Sequence, residues 1–345
     1  MAIYFIIFIG LFLVAVHFND RKDLIPLLLI GGFLFLFAGF RGDKVDGDYS
    51  TYIDYFDRVK HLSISESLLM VEPSFVFITH IVPNIRYVMV IFAFLAVFIH
   101  ILAFKKVSSF PYFSVALWVT HYFFVHEMNQ VRAGVAIGLV LFSLYYVQER
   151  KLYKFLLVIG IATLFHYSAI VLIPVYFLST VKMNRIYFLI IPVSYVLFLG
   201  GLGLLEILGK LHIGIIQSKI EAYNTLQSVG MYTKINVFNP AVMLRIVLIY
   251  IFLFNNEYLK DRNPHFIIMV KMYVLSIAFM VLFASMPAFA LRFADVFGIV
   301  ELALVPMLFY LLDYKYLVLT FVFGWCLLFL FLDLIYNGFL NPYYI

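Results

Sequence analysis

The sequence predicts an all-α polytopic membrane protein, a single integral-membrane domain over residues 1–345 with about twelve transmembrane helices. Three observations predict it. The 345 residues are 65% hydrophobic and 12% charged, where a soluble domain carries about 45–50% and about 25%. Their mean hydropathy is +1.04. The apolar residues gather into runs of spanning length, separated by short loops in which basic residues concentrate. The net charge of +5 then reflects loop placement and does not argue for nucleic acid as a partner.

The apolar runs fall at about 2–18, 24–40, 85–104, 110–126, 131–147, 152–166, 168–181, 186–204, 240–255, 265–285, 290–311 and 316–335. The first, AIYFIIFIGLFLVAVHF, lacks a basic n-region and an A-x-A site, so it reads as a retained helix. The stretch 152–181 reads either as two short helices or as one bent helix, broken near His166-Tyr167 and Pro174. Arg21-Lys22, Lys105-Lys106, Arg150-Lys151, Lys182 with Arg185, Lys260 with Arg262, and Lys315 all fall on one side if the helices alternate. That side is expected to be cytoplasmic, with both termini outside.

Two longer loops, about 41–84 and 205–239, then lie on the outer face. The second is amphipathic at first and then polar, a candidate lid. The first opens with RGDKVDGDYSTYIDYF and is acidic. In it Thr51-x-x-Asp54 and Ser63-x-x-Glu66 match capping boxes. Tyr49, Tyr52 and Phe56 share one face of a short interfacial helix.

Ionisable groups at membrane depth are costly and need a reason. The topology puts Arg132, His166, Arg292 and the Asp46/Asp48 loop at one level, the outer interface, with Arg86, Glu127 and Arg245 also near outer ends. Each has a bland reading: lipid-phosphate snorkelling for Arg132, Arg245 and Arg86, a carbonyl bond for His166, an i,i+3 pair for Arg292 and Asp295, and a turn and N-cap for Asp46 and Asp48. Lys271 and Glu301 lie deeper and read as structural partners of each other. Metal chemistry finds little support. Asp46-Gly47-Asp48 is a D-x-D on the face where nucleotide sugars are absent, and His121 and His126 are five apart. The lone Cys326 excludes an intrachain disulfide, and neither a Cys/His zinc pattern, G-x-S-x-G nor a P-loop occurs.

Several segments together resemble the EpsG family of polysaccharide polymerases, relatives of Wzy-type O-antigen polymerases. They are RGDKVDGDYSTYIDYF with a following EPSF, then MNQVRAGVAIGLVLFSLYYVQERKLYKFLLVIGIATLFHYSAIVLIPVYFL, then ALRFADVFGIVELAL, covering about residues 30–310. The sequence departs from the pattern at Ala133, where Gln commonly follows the Arg, and at Val45-Asp46-Gly47, where Gly-Thr is common. These departures bear on Gln130 and Asp46. The resemblance implies a GT-C-like glycosyltransferase with its active site on the periplasmic face of a bacterial inner membrane. A glycan on undecaprenyl pyrophosphate would pass, with inversion, to a repeat unit on the same lipid, with no cofactor, metal or nucleotide. Expected partners are undecaprenyl-pyrophosphate-linked oligosaccharides, the bilayer and a chain-length regulator protein. In that reading Arg132 and Arg292 hold the pyrophosphate, helped by Arg41 or Arg245, and Gln130 and Asp295 join the binding set. His166 is the base, with Asp48 or Asp46 as the rival base or as the group that orients the acceptor, and Tyr49 stacks on a sugar. The alternatives are an O-antigen ligase-like transferase and a lipid-linked glycan flippase. A transporter would show inverted repeats and midplane charges, and only Lys271 and Glu301 suit it.

Overall fold

A computed structural model describes residues 1–201 and 235–345; most of the 205–239 loop lies outside the described residues. The described chain is helical without strands, apart from a bridge between Asp46 and Leu340. Among the described residues, three helices are long and apolar enough to cross a membrane: Ile85–Val107, Val131–Gln148 and Lys315–Tyr336. Seven shorter apolar helices of 10–17 residues accompany them. This is an all-α, multi-pass membrane protein.

Two expected spans, 110–126 and 290–311, are interrupted, and the 152–181 stretch takes the two-element form. The 110–126 run is α-helical only over Pro111–Thr120 and continues as a π-turn over Phe123–Glu127. At the break, His121 Nδ1 meets Asp333 Oδ2 at 2.6 Å, tying this run to the last helix. The 152–181 stretch is two elements. An α-helix ends at Phe165, His166 is extended (φ −154°, ψ 121°), and a 3₁₀ helix carries Pro174 over Tyr167–Phe177. The 290–311 run divides into Pro287–Gly298, Glu301–Leu304 and a 3₁₀ helix over Val305–Tyr310, where Pro306 removes an N–H.

The contacts group into two compact units, Met1–Tyr176 with Leu302–Ile345, and Phe177–Glu301. The first contains α1 (Ala2–Phe18), α2 (Leu24–Gly39), α3 (Tyr49–His61), α4 (Ile64–Ser67), α5 (Pro73–Ile81), α6 (Ile85–Val107), α7 (Pro111–Thr120), α8 (Val131–Gln148) and α9 (Leu152–Phe165). Its centre is the α6–α8 contact. Gly138 of α8 lets α6 come close, since a Cβ there would sit 2.8 Å from His100 Nδ1.

The 41–84 loop is folded. Tyr49, Tyr52, Phe56 and Val59 of α3 are buried with Val71, Phe75, Val76, Met89 and Phe92. The expected stripe is therefore the inner face of α3. The Ser63/Glu66 capping box is present at α4. The Thr51/Asp54 box is not, because α3 already begins at Tyr49, with Asp48 as its N-cap residue. The chain's last residues strap this loop down. Asn341 N donates to Val45 O and Gly42 N to Tyr344 O, both at 2.8 Å. The Tyr343 ring stacks on Phe37 with centroids 4.1 Å apart.

In the second unit, Lys271 and Glu301 have separate partners. Lys271 Nζ donates to the carbonyls of Ser179 and Lys182 at 2.6 and 2.8 Å. Glu301 Oε2 accepts from Arg245 Nε at 2.8 Å and from the Tyr273 hydroxyl at 2.7 Å. The feature that suited a transporter thus comprises one contact from a helix to the 179–182 loop and one between helices.

Candidate active site

Three short stretches from distant parts of the first unit meet beside the 41–84 loop. Arg132 lies in the first turn of α8, His166 directly follows α9, and Glu72 stands just before Pro73 at the start of α5. Glu72 joins the other two. Its Oε1 is 2.8 Å from His166 Nδ1, and its Oε2 accepts from Arg132 Nη1. The side chains are 9% (Glu72), 13% (His166) and 19% (Arg132) exposed, so the cluster is shielded yet reachable.

Aromatic rings fix the guanidinium. Arg132 Cζ lies 5.4 Å from the ring centres of both Tyr52 and Tyr55, and 5.9 Å from that of Phe75. These rings come from α3 and α5, so the buried stripe of the 41–84 loop also forms the wall of the site. One donor of Arg132 is spent on Glu72, while its buried Nε has no hydrogen-bond partner among the described residues. Buried Ser74 Oγ and Ser168 Oγ, each two residues from Glu72 or His166, likewise have none.

Burial alone would raise the Glu72 carboxyl, but the His166 hydrogen bond and the Arg132 charge outweigh it and hold the group below the usual glutamate range. Its contribution to stability is therefore complete above the ordinary glutamate value and is lost as the pH falls through the lowered one. An ionised Glu72 only accepts, so His166 Nδ1 carries the proton it donates, and Nε2 becomes the basic nitrogen. Nε2 has no hydrogen-bond partner among the described residues. A held imidazole with its Nε2 unspent, beside a caged guanidinium, is equipped to take a proton next to an anion.

The remaining sequence candidates separate. Asp46 and Arg41 form a buried ion pair at 2.6 Å with neither side chain exposed. Arg41 also donates to Ala38 O at 2.7 Å and Met128 O at 2.6 Å. Asp46 accepts from Asp48 N at 3.1 Å. Both thus shape the loop and face no solvent. Tyr49 is buried under Arg41, whose Cζ is 5.7 Å from its ring centre, so its ring is not presented to a sugar. Asp48 is half-buried and makes no capping hydrogen bond. Burial raises its carboxyl, and the Arg132 charge partly offsets this. Of the two loop aspartates, Asp48 is the one left open beside Arg132. Gln130 is exposed at the N-cap of α8 without a side-chain cap bond.

Arg245 is taken by Glu301 within the second unit. Arg292, also there, is exposed and forms no ion pair among the described residues, with half-buried Asp295 three residues on. No group of three or more metal-ligating side chains occurs among the described residues.

Glu72 is the site residue that the sequence reading passed over. It stands 60 residues before Arg132 and 94 before His166, and an acid before Pro reads locally as a helix cap. The available signal is E-P-S-F itself, one of the segments that resemble the family.

Comparison with known proteins agrees with these motifs. A curated relative, the amylovoran biosynthesis protein AmsC of Erwinia amylovora, is 28% identical over 205 residues, 53% of this chain and 54% of that protein. The chain thus spans about half the length of that relative. No solved structure matches the chain. The sequence model of the EpsG family matches residues 24–344, a range that contains E-P-S-F, M-N-Q-V-R and F-H-Y-S-A, whose charged residues meet in the cluster above. The chain belongs to the EpsG family.

Proposed function

We propose that this protein is a polysaccharide polymerase that transfers a glycan from undecaprenyl pyrophosphate to a lipid-linked repeat unit on the periplasmic face of a bacterial inner membrane. One observation carries the reading: Glu72 ties a caged arginine to an imidazole at the outer ends of α8 and α9. Family membership and the relative in amylovoran biosynthesis support the same class of chemistry.

The acceptor hydroxyl attacks the anomeric carbon of the donor glycan and gives its proton to His166 Nε2. The bond from that carbon to the phosphate oxygen breaks, and undecaprenyl pyrophosphate leaves with the electron pair. Attack opposite the leaving group inverts the anomeric centre. Arg132 meets the charge that grows on the leaving pyrophosphate. Asp48 orients the acceptor hydroxyls from the α3 side. Arg41 and Asp46 act on the loop and not on substrate. The reaction needs no metal in this scheme, because the guanidinium supplies the positive charge.

His166→Ala is expected to lower turnover by about 10²–10⁴-fold while the protein stays at its normal level in the membrane. The measurement is the ladder of surface glycan from a deletion strain carrying the variant. Single-repeat product is expected, and a normal long-chain ladder would remove His166 from the mechanism. Orientation has its own test. Ser50 is exposed on α3 and the native Cys326 is buried, so Ser50→Cys should react with a membrane-impermeant maleimide added from the periplasmic side. Labelling only from the cytoplasmic side would reverse the topology.

A further inference from the structure

Glu72 stands where a carboxylate ordinarily caps a helix, before Pro73 at the first turn of α5, yet it makes no cap bond. Both of its oxygens turn outward, one to His166 and one to Arg132. A negative charge is thus lodged on the guanidinium that the polymerase reading assigns to a pyrophosphate. Pyrophosphate and Glu72 repel each other and compete for the same donors, so both cannot hold Arg132 fully. The surroundings favour exchange over displacement of the arginine. Tyr52, Tyr55 and Phe75 grip the guanidinium independently of Glu72, and Nε is unspent. His166 stays within reach of the carboxylate through the other oxygen.

We propose that Glu72 is an exchangeable counter-ion that occupies Arg132 in the empty enzyme, yields it to the lipid pyrophosphate, and then serves His166 alone. This rests on the reading of Arg132 as the pyrophosphate holder. The charged and titratable groups that meet Glu72 are Arg132 on α8 and His166 after α9, and Arg132 in turn faces Tyr52, Tyr55 and Asp48 on or before α3. Arg132 is the cation among them, so withdrawing it leaves the imidazole as the remaining partner for the carboxylate. An undivided carboxylate holds the Nδ1 proton and the ring orientation with both oxygens available to it. Donor binding thereby prepares the base, and an empty site holds its cation neutralised.

The test is Glu72→Gln in the purified full-length protein in lipid nanodiscs, read by calorimetric titration with inorganic pyrophosphate and by turnover on lipid-linked repeat units. E72Q is expected to bind pyrophosphate about tenfold tighter, because the competing charge is gone, and to turn over at least about tenfold more slowly, because His166 has lost its carboxylate. A merely structural role would weaken binding and turnover together. Unchanged or weaker pyrophosphate binding by E72Q overturns the exchange. Arg132→Gln separates the two levels: if it binds pyrophosphate like the wild type, Arg132 is not the holder and the underlying reading falls too. If E72Q does not accumulate, infrared difference spectra of the wild type decide. Pyrophosphate should shift a carboxylate stretch that stays unshifted in R132Q, and saturation without a shift overturns the exchange.

Discussion

Arg132→Ala is expected to abolish polymer formation, lowering turnover by about 10²–10³-fold or more, equivalent to about 2.7–4 kcal/mol of transition-state stabilisation. The size follows from position. Arg132 is the cation that contacts both Glu72 and the aromatic wall, and it is held by rings on two other helices before any substrate arrives. Preorganised charge of this kind does not have to be assembled during the reaction. Arg132→Lys should recover only part of the loss. An ammonium keeps the charge but lacks the planar fork for two phosphate oxygens and the flat face that the three rings hold. The check is turnover on lipid-linked repeat units at matched protein levels, with the order wild type, Lys, Ala. A lysine variant as active as the wild type would mean that only charge matters at this position. A fully active alanine variant would take Arg132 out of the reaction.

The second large effect is on folding. Arg41→Ala is expected to destabilise the protein by about 3–5 kcal/mol, the usual range when one partner of a buried pair is removed. Arg41 spends Nε on Asp46 and its two terminal nitrogens on the carbonyls of Ala38 and Met128, with neither charged side chain exposed. Its loss leaves a buried carboxylate and two carbonyls without their donor. The Met128 contact lies four residues before Arg132, so the loop and the start of α8 should loosen together. Thermal unfolding in detergent measures the loss. Adding Asp46→Asn to Arg41→Ala should restore part of it, because the unpaired charge is gone. If Arg41→Ala melts like the wild type but no longer binds pyrophosphate, Arg41 belongs to the substrate site instead.

Much of the architecture was legible because membrane insertion is governed by local hydropathy. Runs such as 85–104 and 131–147 declare themselves without any partner. The amphipathic face of α3 was legible for the same reason, since Tyr49, Tyr52 and Phe56 are spaced for one side of a helix. Interruptions were harder. At the end of α7 His121 meets Asp333, 212 residues away, and no local pattern encodes that contact. The site was legible in part. Arg132 and His166 stood out as ionisable groups at the ends of apolar runs, where charge is costly. Asp46 and Asp48 looked equivalent, although one is buried against Arg41 and the other stands open beside Arg132.

By itself the sequence determined that this is an all-α membrane protein and which charged residues lie near the ends of its spans, because burial of apolar helices is decided residue by residue. Only the tertiary structure decided which charges meet. Glu72, Arg132 and His166 belong to three helices and to no common local pattern. A hydrogen bond or ion pair forms over about 3 Å and depends on how those helices pack, so the pairing that makes the site appears only in the folded chain.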